Sequence, residues 1–216
     1  PAPKGVFSSF QALDFYSLIA TGIGGAAMKI PFMANGANMA FQKSAFLAVG
    51  GYQDNAGTSS GDDVFLLHNI VKRFGRSAAD LICTRGAIVS TDPPLNFAAF
   101  LQQRIRWASK GTAYRSFTAI IVAVVVGMLN LSVLSAMVLI PFTGLWWPYL
   151  GLMSVKMVVD MPVLLMVTKF FRQRKTMLYY PLLQLIYPLY TFSVVMLSVL
   201  MPVRWKGRKI KVCSDA

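Results

Sequence analysis

The chain contains no glutamate, so its eight acidic residues are all Asp, and only 13% of its residues are charged. Soluble domains carry about 25% charged residues. Charge is absent from two long stretches, 116–155 and 176–203. Each stretch exceeds the roughly 20 apolar residues that a helix needs to cross a bilayer. The shortage of charge therefore excludes an ordinary soluble domain and indicates a protein with several membrane crossings.

Cysteine is almost as scarce, because Cys83 and Cys213 are the only two and lie far apart. They form no Cys-x-x-Cys pair, which argues against a disulfide framework and against a zinc site. The pattern is compatible with a reducing setting that faces the cytoplasm. The sequence opens with Pro1-Ala2-Pro3 rather than an initiator Met, and we expect it to be a piece of a longer protein.

The chain carries a net charge of +13. Its basic residues cluster at the ends of the apolar stretches. Such placement is typical of cytoplasmic loops beside anionic lipid headgroups, and it argues against a nucleic-acid partner. A single crossing at 177–202 would put the last cluster on the opposite side from the others, so the side of the C-terminus stays open. The three clusters lie at 104–115, 169–175 and 204–211.

Turn signals and hydrophobic periodicity divide the chain into a mixed first half and a membrane half. The predicted segments are a globular part (1–94), an interfacial helix (95–115), a transmembrane region (116–203) and a basic tail (204–216). Glycine and proline set the expected boundaries inside the first half. The predicted elements there are helices at Phe7–Ala27, Lys43–Val49, Asp63–Phe74 and Leu95–Arg115, and a short β-type run at Ala87–Ser90.

The uncharged stretch 116–155 is too long for one crossing, because a single helix of that length would be about 60 Å long. Helix breakers around Trp146-Trp147 predict a hairpin at an interface, where tryptophan is common. Lys156 and Asp160 are four residues apart inside an apolar segment, and this spacing predicts a structural ion pair. The predicted spans are 117–140, 148–168 and 177–202.

The Asp62-Asp63 pair stands at a predicted helix start. One interpretation is structural, with Asp62 or Ser60 as the N-cap and acidic residues favoured by the helix dipole. The other is a general base that takes a proton from a hydroxyl nucleophile. His68, one turn further on, is interpreted as a packing residue rather than a catalytic group.

Gln103, Arg106 and Trp107 share one face of the helix that precedes the first span. Arg and Trp are common on interfacial helices, which is the structural interpretation. The functional interpretation is a pyrophosphate grip by Arg106 and sugar stacking by Trp107. The order of an acid pair, then Gln-x-x-Arg-Trp, then a membrane span favours the functional one.

These motifs together resemble the second half of membrane-bound family 2 glycosyltransferases, a group that includes cellulose, chitin and hyaluronan synthases and ceramide glucosyltransferase. The resemblance covers residues 30–110 by motif and the remainder by layout. It depends on Asn35-Gly36-Ala37-Asn38-Met39-Ala40-Phe41, Gly50-Gly51-Tyr52, Gly61-Asp62-Asp63, Thr91-Asp92-Pro93-Pro94 and Gln103-x-x-Arg106-Trp107.

The resemblance implies an α/β fold followed by membrane helices, namely the C-terminal part of a GT-A domain and about three transmembrane helices. It implies a hexosyltransferase that moves sugar, with inversion, from a nucleotide-sugar such as a UDP-sugar to a lipid or growing saccharide. Asp63 matches the catalytic base, with Asp62 beside it. Gln103, Arg106 and Trp107 match the diphosphate and acceptor motif, and Asn35, Gly36, Ala37 and Asn38 match the acceptor-side wall.

The family's Asp-x-Asp metal motif is missing from this chain. The resemblance therefore places the Mg²⁺ or Mn²⁺ ligands in an upstream half, and this fragment alone is expected to be inactive. The expected location is a multi-pass plasma (inner) membrane protein whose active site faces the cytoplasm. The alternatives are a transporter or channel, which the Lys156–Asp160 pair would suit, and a non-catalytic membrane scaffold, which the missing half would suit.

Overall fold

The computed structural model describes residue 3, residues 5–53, 61–109 and 116–201, and the backbone of 204–205 and 208–209. The strands within these residues are β1 (Arg204–Trp205) and β2 (Arg208–Lys209), which pair antiparallel. The rest of the regular structure is helical. The α-helices are α1 (Val6–Ala27), α2 (Lys43–Ala48), α3 (Asp62–Phe74), α4 (Phe97–Ala108), α5 (Phe117–Thr143), α6 (Trp147–Phe170) and α7 (Tyr180–Leu200).

The chain forms two compact units. One unit combines residues up to Ala20 with Val122–Met196, and the other comprises Thr21–Ile121 with the residues from Leu197 onward. The predicted helices in the first half are confirmed as α1, α2 and α3, with bounds within a residue or so of those expected. The GT-A part of the predicted α/β fold stays a prediction, because the described residues contain no strand besides β1 and β2.

Local predictions failed at three places. Gly61 is the N-cap of α3, with φ of 107° and no side-chain cap, so the prediction that Asp62 caps this helix was wrong; Ser60 lies outside the described residues. The predicted β-type run at Ala87–Ser90 was also wrong, because Ala87 belongs to a 3-10 turn, Arg85–Ala87, and no strand among the described residues pairs with the residues after it.

The third correction concerns α4, which begins at Phe97 rather than at Leu95. Its N-cap is Asn96, whose Oδ1 accepts the Ala99 N–H at 2.9 Å. An Asn cap satisfies one of the free donors at a helix start, so the helix begins there and not at the two prolines before it. The helix also ends earlier than expected, at Ala108 with Ser109 as its C-cap rather than at Arg115; residues 110–115 lie outside the described residues.

Within the described residues, three helices are long and apolar enough to cross a membrane, at Phe117–Thr143, Trp147–Phe170 and Arg174–Leu200. The last comprises a 3-10 turn, Arg174–Tyr179, followed by α7. Pro141 lies inside α5, and the chain turns at Gly144, where φ is 67°. A short turn thus joins α5 to α6, and α5 ends three residues beyond the expected end of the first span, whereas the placement of this turn at a membrane interface stays a prediction.

In the first unit, aromatic side chains pack α1 against the apolar helices. Phe10 meets Tyr190 edge-on at 4.8 Å between ring centroids, and Tyr16 stacks on Phe171 at 5.2 Å. Asp14 is buried, and its Oδ1 accepts the Tyr187 hydroxyl at 3.3 Å. Aromatic pairs add about 0.5–1.5 kcal/mol beyond the area they bury, so these contacts attach the first part of α1 to α6 and α7.

The predicted ion pair is confirmed, since Lys156 Nζ contacts the Asp160 carboxylate within α6. Gln184 on α7 completes the cluster: its Oε1 accepts from Lys156 Nζ at 2.9 Å, and its Nε2 donates to Asp160 Oδ2 at 3.0 Å. Lys156 is only 3% exposed, whereas Asp160 is 34% exposed. Burying the ammonium is tolerated because two acceptors compensate for its lost water.

Removing one member of this cluster leaves a charge without its partner in an apolar helix. We expect Lys156→Met alone and Asp160→Leu alone each to lower the folded yield in detergent, since an uncompensated central charge costs about 2.5–3.5 kcal/mol. The double variant should recover much of the yield, and adding Gln184→Leu should recover more by removing the orphaned amide. Size-exclusion chromatography of solubilised membranes measures the yield, with Met161→Leu as a control. Normal folding of both single variants would contradict the structural role.

Buried side chains of α3 and α4 form the core of the second unit. Leu66 of α3 and Phe100 of α4 are completely buried. Phe32, from the segment after α1, is 5% exposed and lies so close to Gly25 that a Cβ there would be 2.5 Å from its ring. This packing places the loop after Phe32 beside the start of α3, where the acid pair lies.

Candidate functional site

Asp63 lies in the first turn of α3 and is half-buried, whereas its neighbour Asp62 is exposed. The Asp63 Oδ2 accepts the backbone N–H of Gly36 at 2.8 Å, and its Oδ1 accepts the N–H of Val64 at 2.9 Å. Two backbone donors therefore hold the two carboxylate oxygens in one orientation. A fixed, half-exposed carboxylate at a helix start is suited to taking a proton from a group placed before it.

The loop Asn35–Asn38 is built around this carboxylate. It closes as a turn in which the Asn38 N–H donates to the Asn35 carbonyl at 2.9 Å, and Asn35 Oδ1 accepts the Ala37 N–H at 3.1 Å. Asn38 Nδ2 also donates to the Ala87 carbonyl at 2.7 Å, which anchors the far end of the loop. Both asparagines thus have structural bonds, and the loop presents its Gly36 N–H to Asp63.

Glycine at position 36 is favoured by the close approach of this loop to the acid. A Cβ there would lie 3.3 Å from Asp63 Oδ2, a distance that requires the carboxylate to give way. The contact joins residues that the sequence places 27 positions apart. The structure therefore brings together the predicted base and the predicted acceptor-side loop.

Arg106 connects α4 to the same acid. Burial lowers the pKa of the Arg106 guanidinium, and the negative charge of Asp63 offsets part of this lowering. Arginine stays protonated throughout the physiological range, so a positive charge lies within electrostatic range of Asp63. A half-buried guanidinium of this kind is well suited to binding phosphate oxygens.

Gln103 and Trp107, predicted to share a face with Arg106, are held by a residue that the sequence analysis did not single out. Arg104 is 6% exposed, and its guanidinium lies 4.3 Å from the Trp107 ring centroid and 4.7 Å from that of Phe100. Its Nη1 also donates to Gln103 Oε1 at 2.9 Å. Arg104 therefore orients two of the predicted binding residues, and it covers one face of the indole.

The sequence spacing of the Arg104 cluster already indicates that its side chains lie on one face of α4. Phe100, Arg104 and Trp107 occupy positions i, i+4 and i+7, which place them on one stripe of a helix. Because Arg104 occupies the Gln103 acceptor oxygen, the amide nitrogen of Gln103 is the atom left to face a ligand. That nitrogen is a donor and suits an acceptor such as a phosphate or hydroxyl oxygen.

The resemblance implies a divalent cation in the complete enzyme, and its ligands can be sought among the described side chains. No group of three or more His, Cys, Asp or Glu side chains comes together within the residues that the structure describes. The described part of the chain therefore supplies no ligand set for the divalent cation that the resemblance implies.

Comparison with known proteins identifies the family. The model of "Glycosyl transferase family 21" matches residues 2–216, almost the whole chain. No curated protein matches the chain, and no solved structure does. The resemblance seen in the sequence named family 2 and several of its synthases, and the match confirms the glycosyltransferase class without singling out any of those members. The acid–loop–arginine site thus lies in a chain that belongs to glycosyltransferase family 21.

Proposed function

We propose that this chain supplies the acceptor side and the membrane anchor of an inverting hexosyltransferase that uses a nucleotide-sugar, with UDP as the nucleotide. The observation that carries the proposal is the Asp63 carboxylate, held by the Gly36 N–H with the Arg106 charge in electrostatic range. Family membership supports sugar transfer. The three apolar helices support an acceptor that is a lipid or a growing saccharide at the membrane.

In the proposed reaction, Asp63 accepts the proton of the acceptor hydroxyl as that oxygen bonds to the anomeric carbon of the donor sugar. The bond between the anomeric carbon and the diphosphate oxygen breaks, and its electron pair leaves with the nucleoside diphosphate. Attack from the face opposite the leaving group inverts the configuration. Arg106 offsets the charge on the departing diphosphate, and the amide nitrogen of Gln103 and the indole of Trp107 contact the substrates.

We assign the donor half of the site, with its divalent cation, to residues outside this chain, so the isolated chain should not transfer sugar. Asp62, which is exposed, assists orientation rather than proton transfer. The Asn35–Asn38 loop forms the acceptor-side wall. The basic clusters favour a plasma (inner) membrane location with the site facing the cytoplasm, where glycolipid or polysaccharide synthesis would draw on cytoplasmic nucleotide-sugars.

The acceptor class can be tested with membranes that carry the full-length protein. Each of a panel of radiolabelled nucleotide-sugars is incubated with them, and the products are divided by organic extraction. Label in the organic phase would support a lipid acceptor, and label in an aqueous polymer would support a saccharide. No product with any donor would contradict the enzyme assignment and favour a non-catalytic scaffold.

A further prediction concerns Arg104. Lysine keeps the positive charge but has neither the planar surface that lies over Trp107 nor the fork that reaches Gln103. We expect Arg104→Lys to reduce transfer about 10-fold, because lysine keeps the charge and loses only part of a cation–π contact worth about 0.5–2 kcal/mol and of a charged hydrogen bond worth about 1.5–3 kcal/mol. Initial rates in membranes measure the loss, and Gln102→Ala, an exposed change on the same helix, is the control. Equal rates for Arg104→Lys and the parent would contradict this role.

A further inference from the structure

His68 lies on α3, the helix that carries the proposed base Asp63, but it has no part in the proposed chemistry. It lies on α3 five residues after Asp63, and its Nε2 is 3.0 Å from the backbone carbonyl of Phe32. A carbonyl oxygen can only accept, so the imidazole donates from Nε2. Burial lowers the pKa of His68, although the bond to Phe32 raises it in part. The ring is thus neutral near pH 7, and its Nε2–H proton holds the carbonyl.

Phe32 is fixed from two sides. Its ring fills the space left by the missing side chain of Gly25, and its carbonyl is bonded to His68. Lys29 has a left-handed backbone with φ of 58°, and the Ile30 N–H returns to the Gly25 carbonyl at 2.8 Å. This is the usual way in which a helix end redirects the chain. The turn at the end of α1 therefore fixes the direction of the chain, and the Phe32–His68 bond fixes where the chain contacts α3.

The segment 32–36 then meets α3 at two points. Phe32 bonds to His68 at one end, and Gly36 bonds to Asp63 at the other. The helix rises about 1.5 Å per residue, so five residues of helix span about 7.5 Å, a distance that four residues of non-helical chain bridge with length to spare. The segment runs antiparallel to the helix between these points. A two-point attachment fixes its register, which one bond alone would not do.

We propose that His68 is a positioning residue whose bond to the Phe32 carbonyl holds residues 32–36 along α3 and so keeps the Gly36 N–H on the Asp63 carboxylate. This role rests on the proposed function of Asp63 as the base. Without the His68 bond, the loop retains its Asn38–Ala87 anchor at the far end, whereas at its near end only the packing of the Phe32 ring against Gly25 remains and the direct bond to α3 is lost. The carboxylate would then lose the donor that orients it, although the fold would persist.

The test compares His68→Leu, His68→Asn and His68→Gln in the full-length protein in nanodiscs. Glutamine places an amide N–H near the position of Nε2, whereas asparagine is too short and leucine has no donor. We expect kcat to fall about 10-fold in the leucine and asparagine variants, because small displacements of a catalytic group are costly, and the donor KM to change less than about 2-fold. The glutamine variant should recover most of kcat. Lys72→Ala, an exposed change on α3, is the control.

Hydrogen exchange of residues 33–38 is measured on the same samples and does not depend on activity. Faster exchange there in the leucine and asparagine variants, with recovery in the glutamine variant, supports the proposal even if no sugar transfer is found and the proposed function fails. Unchanged exchange and unchanged kcat in the leucine variant overturn it while the proposed function stands. A loss of kcat that glutamine does not restore, together with faster exchange throughout α3, also overturns it and assigns His68 to packing alone.

Discussion

Replacing Asp63 by Asn is expected to cut sugar transfer by about 100-fold or more while leaving donor binding nearly unchanged, because the variant removes the general base. Asparagine has almost the same shape, and its Oδ1 can still accept the Gly36 N–H that the carboxylate accepts at 2.8 Å, although its amide nitrogen cannot accept the Val64 N–H. The loop should therefore stay in place. What disappears is the capacity to take the proton from the acceptor hydroxyl. Initial rates at saturating donor measure this loss.

Asp62→Asn is the matched control for this prediction. It makes the same chemical change at the adjacent residue, but Asp62 is exposed, whereas Asp63 is half-buried with two backbone donors. We expect only a mild loss of activity, since the proposed role of Asp62 is orientation. Turnover of Asp63→Asn within a few-fold of the parent would remove Asp63 from the mechanism, and equal losses in the two variants would assign both acids to the helix start.

Replacing Arg106 by Ala is expected to weaken binding of the nucleoside diphosphate product by about 10- to 100-fold, since one hydrogen bond to a charged group is worth about 1.5–3 kcal/mol. Arg106 is half-buried and interacts electrostatically with Asp63, so its removal also takes a positive charge away from that acid. Arg106→Lys should restore only part of the affinity, because a single ammonium cannot make the paired contacts of a guanidinium. Equilibrium binding of the nucleotide measures the change.

Trp107→Ala separates the phosphate role from an anchoring role on α4. One face of the indole is covered by Arg104 at 4.3 Å, and the other is proposed to contact sugar. This variant should spare nucleotide affinity and impair transfer to the acceptor. Identical effects of the Arg106 and Trp107 changes on nucleotide affinity would show that the pair only holds an interfacial helix.

Much of the local structure could be predicted because its causes are local. Gly50 and Gly75 end α2 and α3 with left-handed backbone, φ 77° and 87°, and glycine is the residue that adopts such angles without strain. The three long apolar helices were predicted from the two stretches without charged residues, 116–155 and 176–203. The i,i+4 spacing of Lys156 and Asp160 predicted their pairing in the same way.

The relations that make the site could not be predicted, because they depend on contacts between distant segments. Nothing local indicates that the Gly36 N–H reaches Asp63, or that His68 bonds to the Phe32 carbonyl. Gln184 likewise joins the Lys156–Asp160 pair only after α6 and α7 pack. The run at Ala87–Ser90 has strand-like residues but no pairing strand among the described residues, and a strand needs a partner to satisfy its backbone.

The central claim is that Asp63, positioned by the Gly36 loop, is the base of a sugar transfer. It is tested most directly by one assay of the full-length protein in membranes, at matched expression of the parent, Asp63→Asn and Asp62→Asn, with the donor found to support transfer. We predict glycosylated product from the parent, at least about 100-fold less from Asp63→Asn, and a rate near that of the parent from Asp62→Asn. Product from Asp63→Asn at a rate close to that of the parent would contradict the account.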